Sequence, residues 1–216
     1  MIVRIDRHPA QACRGIYGAA LLFVAASVWL FVPGANAQET VVKLDPAATK
    51  IEFTLGATLH TVHGTFHLKS GEIRFDPATG KASGLVIADA TSGNTDNSSR
   101  DKKMHAEILE SAKYPEIVFT PTQVTGSLAN VLSGKGAANI QLTGSFQIHG
   151  QSHDATLVVT IDPAAAGQES LLRATSNFPV PFVKWGLKNP STFFLHVSDT
   201  VNVDIHATAR IYSSGH

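Results

Sequence analysis

Residues 97–119 read N-S-S-R-D-K-K-M-H-A-E-I-L-E-S-A-K-Y-P-E-I-V-F, the one stretch after residue 37 whose pattern predicts a helix. Ser98 and Asp101 have the S-x-x-D spacing of a helix start, in which a serine hydroxyl accepts a backbone N–H of the first turn. Met104 and Ile108 are four residues apart, so their side chains share one face of the helix. The stretch therefore predicts a short amphipathic helix.

This helix is expected to span about residues 98–112 and to end before Pro115, because the residue before a proline is driven towards extended geometry. The segments on both sides of it have strand patterns. A lone amphipathic helix between strands has to bury its apolar face against the sheet. The sequence thus predicts a helix that acts as a lid or plug on a β-barrel or β-sandwich.

Alternation of apolar and polar residues predicts the strands. About nine are expected, mostly in hairpin order, which favours an all-β antiparallel barrel over a βαβ fold. A closed barrel has no free edges, and every strand contributes one inward face. Segments with a strand pattern, some of which can belong to one longer strand, cover residues 41–44, 50–59, 62–68 and 73–75 with a break at Ser70-Gly71, 85–90, 117–124, 139–149, 155–161, 171–178, 193–197 and 201–211.

The inward faces of these strands carry no charge and are rich in phenylalanine. A barrel of about eight strands is wide enough for packed side chains or for one slender ligand. Periodicity alone leaves both a packed core and a lipid tunnel open. The phenylalanines expected to face inward are Phe53, Phe66, Phe75, Phe119, Phe146 and Phe178.

The first 37 residues have the pattern of a secretory signal peptide. Arginines precede an apolar run over residues 16–32, and A-N-A follows at 35–37, as at a cleavage site. We expect cleavage after Ala37, a periplasmic protein, and a single domain over 38–216; an uncleaved anchor is the alternative. The single cysteine, Cys13, lies in this leader, so the mature chain would lack a disulfide, a reactive thiol and a cysteine metal site.

Charge is balanced, with 17 Lys+Arg against 17 Asp+Glu and a formal net charge of zero. Because no block of like charge occurs, the sequence gives no indication of a nucleic-acid partner or of an electrostatic membrane patch. No stable membrane insertion is expected once the leader is removed. The oligomeric state is open, a dimer included.

Two features of the sequence point to chemistries other than the binding of an apolar ligand. His60, His63 and His67 are clustered in sequence, but on one strand they are too far apart for a shared metal without a bend, and no H-E-x-x-H helix occurs. A histidine-based metal-binding or interaction module is nevertheless the alternative function. Residues 150–154, G-Q-S-H-D, resemble a hydrolase elbow but lack its second glycine and its strand–helix context. No catalytic residue, no metal ligand and no cofactor are therefore assigned, and the protein is not expected to be an enzyme.

Several motifs together resemble the YceI-like family of polyisoprenoid-binding proteins, over about residues 41–209. The segment between R-D and K-Y-P lacks the aromatic residues common in the family and is the clearest departure from its pattern. The motifs are K-L-D-P-A at 43–47, H-G-T-F at 63–66, S-G-E-I-R-F-D-P at 70–77, R-D-K-K-M-H at 100–105, K-Y-P-E-I-V-F at 113–119 and G-S-F-Q-I-H-G at 144–150.

The resemblance implies an extended, lipocalin-like barrel whose lumen takes a polyprenyl or quinone-like lipid, with the helix beside the tunnel. It also implies a periplasmic carrier or storage protein. Polar groups at the mouth would hold a head group, with Arg100, Asp101 and His105 as candidates beside Lys184 and Trp185. The expected lumen residues are Phe53, Leu55, Phe66, Phe75, Ile87, Met104, Ile108, Phe119, Phe146, Ile148, Phe178, Phe182 and Trp185.

Overall fold

Nine strands dominate the structure, a computed structural model that describes residues 39–58, 60–163 and 171–213. The predicted signal peptide, residues 1–37, lies outside the described residues. The strands are β1 (Thr40–Leu44), β2 (Lys50–Ala57), β3 (Thr61–Phe75), β4 (Ala82–Asn94), β5 (Glu116–Thr125), β6 (Ala138–Ile148), β7 (Gln151–Pro163), β8 (Leu171–Val180) and β9 (Val197–Ser213).

These strands form one antiparallel sheet that closes into a barrel when β3 pairs with β4. Nine strands occupy eight places, because β1 and β2 share one. Both lie between β3 and β9, at opposite ends of the barrel. Asp45 separates the two strands, since its carboxylate accepts the N–H of Ala47 and begins a short 3-10 turn. The predicted antiparallel barrel with one inserted helix is confirmed.

Strand β3 shows where alternation misleads. The predicted break at Ser70-Gly71 is wrong, because the strand continues from Thr61 to Phe75 and its pairing with β4 shifts by a bulge between Leu68 and Ser70. A bulge inserts one residue and thereby exchanges the two faces of the strand. Even-numbered residues face inward before the bulge and odd-numbered ones after it, a change of phase that resembles an interruption.

The predicted helix is shorter than expected and begins differently. Helix α1 spans Ser98–Lys103 and continues as a π-helical turn over Met104–Ile108. The cap is Asn97, whose side chain accepts the N–H of Arg100, so the prediction that Ser98 caps the helix is wrong. Helical geometry ends when Glu110 adopts a left-handed φ of 46°, five residues before Pro115.

The interior has two halves of different character. One end of the barrel is formed by β1, the β5–β6 connection, the beginning of β6 and the end of β7. Buried residues fill the barrel at this end, and Val131 of helix α2 (Ala129–Leu132) is one of them. At the other end, beside α1, the barrel is hollow. In the part of the chain that the structure describes, no helix is long and apolar enough to span a membrane.

Candidate lipid-binding cavity

The hollow half of the barrel contains a cavity of about 510 Å³. Its walls come from β2, β3, β5, β6, β8 and β9, whose inward side chains alternate with outward polar ones. Along β2 the cavity extends from Ile51 to Ala57, which is about 20 Å of extended chain. Volume and lining both lie in the range of small-molecule sites in proteins.

Most of the expected lumen residues line this cavity. They share an inward position at the α1 end of the barrel, or a place on the two segments that cover that end. Helix α1 and its π-helical turn contribute the methionine and one isoleucine, while the chain after β8 contributes the last phenylalanine. The residues are Phe53, Leu55, Phe66, Met104, Ile108, Phe146, Ile148, Phe178 and Phe182.

Four expected lumen residues lie elsewhere. Phe75 and Phe119 face inward but belong to the packed core rather than to the cavity wall. Ile87 pairs with Val118, on the face opposite Phe119, so it points away from the lumen. Trp185 lies behind the wall, with its ring centroid 5.4 Å from that of Phe146.

Sequence reasoning missed the contribution of β9. Val201, Val203 and Ile205 line the cavity between β2 and β8, and Val203 pairs with both Phe53 and Phe178. Their alternation was visible in the sequence. Nothing in it showed at what height in the barrel they lie, because a residue's level along the axis depends on strand register.

A polar rim surrounds the opening. Arg100 lines the cavity and is held by Thr95, whose hydroxyl accepts Nε–H at 2.8 Å and whose carbonyl accepts Nη2–H at 2.7 Å. The ammonium group of Lys103, also in the lining, lies 3.4 Å from the carbonyl oxygen of Pro190. The other polar residues of the lining are His60, Thr95, Ser99 and Thr192. Within the described part of the chain, the lining holds two cationic side chains and no carboxylate.

Asp101 and His105, the other head-group candidates, have structural partners and do not line the cavity. The Asp101 carboxylate accepts the N–H of Thr95 at 2.9 Å and its hydroxyl at 2.5 Å. His105 Nε2 donates to the Gly93 carbonyl at 2.8 Å, which leaves Nδ1 to accept the Ser111 hydroxyl at 2.9 Å. Asp101 thus fixes the residue that holds Arg100, and His105 attaches the helix to β4.

The loop after β8 seals the barrel wall. Strands β7 and β8 pair only from Val159 onwards, so among the described residues no strand pairs with the first half of β7 on that side. Trp185 covers this gap by stacking on His153, with centroids 4.6 Å apart and rings 2° from parallel. Phe182 and Leu187, on the same segment, line the cavity from there. The aromatic loop therefore completes the wall.

The rival chemistries gain no geometric support. His60 lines the cavity, whereas His63 bonds to Thr54 on the outer face at 3.3 Å. Over residues 39–58, 60–163 and 171–213, no three His, Cys, Asp or Glu side chains are grouped as metal ligands. Ser152, His153 and Asp154 lie in strand β7, so the strand–helix context of a hydrolase elbow is not present there. Consecutive strand residues point to alternate faces, so His153 points away from the face that Ser152 and Asp154 share.

Comparisons with known proteins agree with this architecture. A family profile described as the YceI-like domain matches residues 42–209. The chain belongs to the YceI-like family. A UPF0312 protein of Vibrio cholerae serotype O1 is 25% identical over 190 residues, covering 86% of this chain and 95% of that protein.

Solved structures of the same fold are similar at low sequence identity. A polyisoprenoid-binding domain from Saccharophagus degradans, 16% identical, superposes with a TM-score of 0.57 over 78% of this chain and 97% of that one. The YceI protein of Campylobacter jejuni, 22% identical, superposes with a TM-score of 0.54 over 74% of this chain and 88% of that one. At these identities the likeness concerns the fold.

Proposed function

We propose that this YceI-like protein binds one long apolar ligand of isoprenoid type, a polyprenyl or quinone-like lipid, in the hollow half of its barrel. The observation that carries the proposal is the cavity of about 510 Å³, with hydrocarbon walls and all its polar groups at one end. An amphiphile with a long apolar tail and a small polar head matches this arrangement, with its tail along the apolar walls and its head at the polar end. The Saccharophagus degradans relative is itself described as a polyisoprenoid-binding domain.

The energetics favour such a ligand. Each CH₂ group transferred from water into an apolar site contributes roughly 0.8 kcal/mol. A tail of several isoprene units can therefore offset the cost of ordering the ligand, without any specific polar contact. Phe53 and Phe178, on opposite sides of Val203, give the tail flat apolar walls. Binding, not catalysis, is the proposed activity.

Arg100 is the proposed head-group contact, supported by its place in the lining and by its two bonds to Thr95. Lys103 lies one helical turn further on the same rim. Because no described carboxylate lines the cavity, the rim favours a head group that is anionic or accepts hydrogen bonds. Asp101 and His105 are proposed as positioning residues that hold the rim in place.

A role in the periplasm, as carrier or storage protein, is part of the proposal. It rests on the signal-peptide pattern of residues 1–37 and on the resemblance stated above. A lipid that is poorly soluble in water needs a protein to cross an aqueous compartment, and a barrel with a covered apolar interior provides that protection.

The test is to identify the cargo. Protein purified from the periplasm is extracted with organic solvent, and the extract is analysed by mass spectrometry. We expect one isoprenoid per chain in the wild type and none in Phe146→Arg, which puts a charge into the wall. Val158→Arg is the matched control, because Val158 is 54% exposed on the outer wall.

Circular dichroism has to show that both variants are folded. An extract without isoprenoid, from protein that holds stoichiometric zinc or copper, would refute the proposal in favour of the histidine-based alternative. A folded Phe146→Arg protein with undiminished cargo would refute the assignment of the lumen.

A further inference from the structure

Two consecutive aromatic side chains project into solvent beside the cavity. Phe193 is 95% exposed and Phe194 is 88% exposed, whereas the other large exposed apolar side chains of the described residues are about half exposed. The two rings meet edge to face, with centroids 5.0 Å apart. Two adjacent phenylalanines in water are unfavourable unless a partner removes them from it. The sequence pattern predicted a strand at 193–197, but β9 begins only at Val197.

The loop that carries these rings is a defined turn. Thr192 N–H donates to the Leu195 carbonyl at 2.8 Å, and Leu195 N–H donates to the Thr192 hydroxyl at 3.2 Å. Next to it, Thr58 donates its N–H to the His196 carbonyl at 2.9 Å and accepts the His196 N–H at 3.1 Å. The turn therefore holds the rings at its tip while its base is fixed to the end of β2.

The tip stands at the mouth of the cavity. Thr192 and Leu195, which flank the two rings, both line the cavity, and so does Pro190. The Lys103 ammonium group contacts Pro190, so a cation lies on the rim next to this turn. Lys102, its neighbour on α1, is exposed. Whatever buries the two rings is thus brought against the opening of the cavity.

We propose that Phe193 and Phe194 form a membrane-docking tip that inserts into the surface of a lipid bilayer and places the cavity mouth on it. Phenylalanine is one of the side chains that peripheral proteins bury at the boundary between head groups and acyl chains. Lys102 and Lys103 would lie at head-group level, where anionic lipids attract cations. The proposal rests on the proposed function in one respect, because a ligand that resides in a bilayer gives the mouth a reason to face it.

The size of the patch favours a bilayer over a protein. Two phenylalanine side chains offer about 400 Å² of surface, and a stable protein interface needs roughly 800 Å² per partner. Other described apolar side chains that are about half exposed, such as Leu85 and Val158, lie on β4 and β7 and not on this turn. A bilayer needs no matching shape, so two inserted rings and a cationic rim are enough for reversible attachment.

The test measures sedimentation of the purified protein with vesicles of phosphatidylethanolamine and phosphatidylglycerol. We expect the partition coefficient to fall by at least about tenfold for each ring removed in Phe193→Ser/Phe194→Ser. The matched control is Leu85→Ser/Val158→Ser, which removes exposed apolar side chains from the barrel wall and should change partitioning by less than about twofold. Equal sedimentation of wild type and tip variant, or no sedimentation of the wild type, overturns the proposal.

Two further measurements separate this proposal from the proposed function and from self-association. Uptake of farnesol from detergent micelles, followed by Trp185 fluorescence, should be the same in wild type and tip variant. If the wild type takes up farnesol but does not sediment with vesicles, docking fails while ligand binding stands; if it sediments but takes up no farnesol, docking stands alone. If gel filtration shows a dimer that the tip variant dissolves, and vesicles are not bound, the rings belong to a subunit interface and the proposal is overturned.

Discussion

Filling the cavity from inside should stabilise the ligand-free protein, although the same substitution in the packed half should destabilise it. Val201 lines the cavity between Leu55 and Val180. Val124, which is 7% exposed, is part of the packed core and pairs with Leu142. Val201→Phe and Val124→Phe are therefore the same chemical change in two environments that differ in free volume.

The magnitudes follow from that difference. Phenylalanine has four more side-chain carbons than valine, which at roughly 0.8 kcal/mol per carbon gives at most about 3 kcal/mol on transfer into the cavity. Ordering the larger side chain costs about 1 kcal/mol. The expected net gain for Val201→Phe is thus about 1–2 kcal/mol. Val124→Phe has no free space to enter, and overpacking of this kind costs about 1–3 kcal/mol.

Urea denaturation of delipidated protein, followed by circular dichroism, measures both effects. With a slope of about 2 kcal/mol per molar, the midpoint should rise by about 0.5–1 M for Val201→Phe and fall for Val124→Phe. Val201→Phe should also weaken ligand uptake by at least about tenfold, because the ring occupies the ligand's space. Destabilisation of both variants to the same extent would mean that the cavity is absent in solution, and the lumen would then be a packed core.

Three further predictions concern the scaffold. Asn97→Ala removes the acceptor for the Arg100 N–H and should lower the free energy of unfolding by about 1 kcal/mol. Asn97→Asp should retain the cap. If both variants lost the same stability in thermal melts, the assignment of the cap would be contradicted. Gly84→Ala should cost at least about 2 kcal/mol in the same melts, because φ is 113° and a Cβ would collide with the Glu72 carbonyl; an unchanged melting temperature would refute the backbone assignment. The Thr91 hydroxyl donates a hydrogen bond to the Asp89 carboxylate and lowers the pKa of that carboxyl. This bond therefore stabilises the folded protein at a pH above the pKa that Asp89 has in the unfolded chain, and the stabilisation is lost as the pH falls through the lower pKa of Asp89 in the folded protein. In Thr91→Val, carboxyl NMR titration should show the Asp89 pKa moving up, and no movement would show that the hydroxyl is not its cause.

Alternation predicted the barrel because closure requires each strand to have one inward face. In β6, Ile140, Leu142, Phe146 and Ile148 alternate with polar residues in the sequence, and all four are buried. Alternation could not show depth along the axis. Phe53 and Phe75 both face inward, yet only Phe53 lines the cavity. Depth depends on register between strands that are far apart in sequence, and no local pattern encodes it.

Two errors have local physical causes. The bulge between Leu68 and Ser70 exchanges the faces of β3 by adding one residue, and a single sequence shows such a shift only as a loss of alternation. Phe193 and Phe194 have the composition of a strand, but Thr192 and Leu195 bond to each other and turn the chain before β9 begins. In both places hydrogen bonding between specific residues overrode the apolar pattern.

Two of the motifs that identify the family also hold the end of the helix on the barrel. Tyr114 of K-Y-P packs on His149, with ring centroids 4.7 Å apart. His149 and Gly150 both have positive φ, as a tight two-residue hairpin turn between β6 and β7 requires. The Glu110 carboxylate lies 3.3 Å from His149 Nε2 and adds a second contact between the helix end and this turn. Two motifs more than thirty residues apart thus meet at one point.

The division of the barrel explains why one small domain can be stable and hollow together. An apolar cavity forfeits packing contacts along its whole lining, so the free energy that holds the barrel closed has to come from elsewhere. Leu172, Val131 and Ala209, each no more than 3% exposed, lie in the filled half, where α2 covers the barrel end. That half also sets a floor beneath the cavity, and a tail that reaches it has to stop there. If the proposed function holds, selection among apolar ligands by length would follow from where the packed core begins, and selection by head group from Arg100 and its neighbours at the mouth.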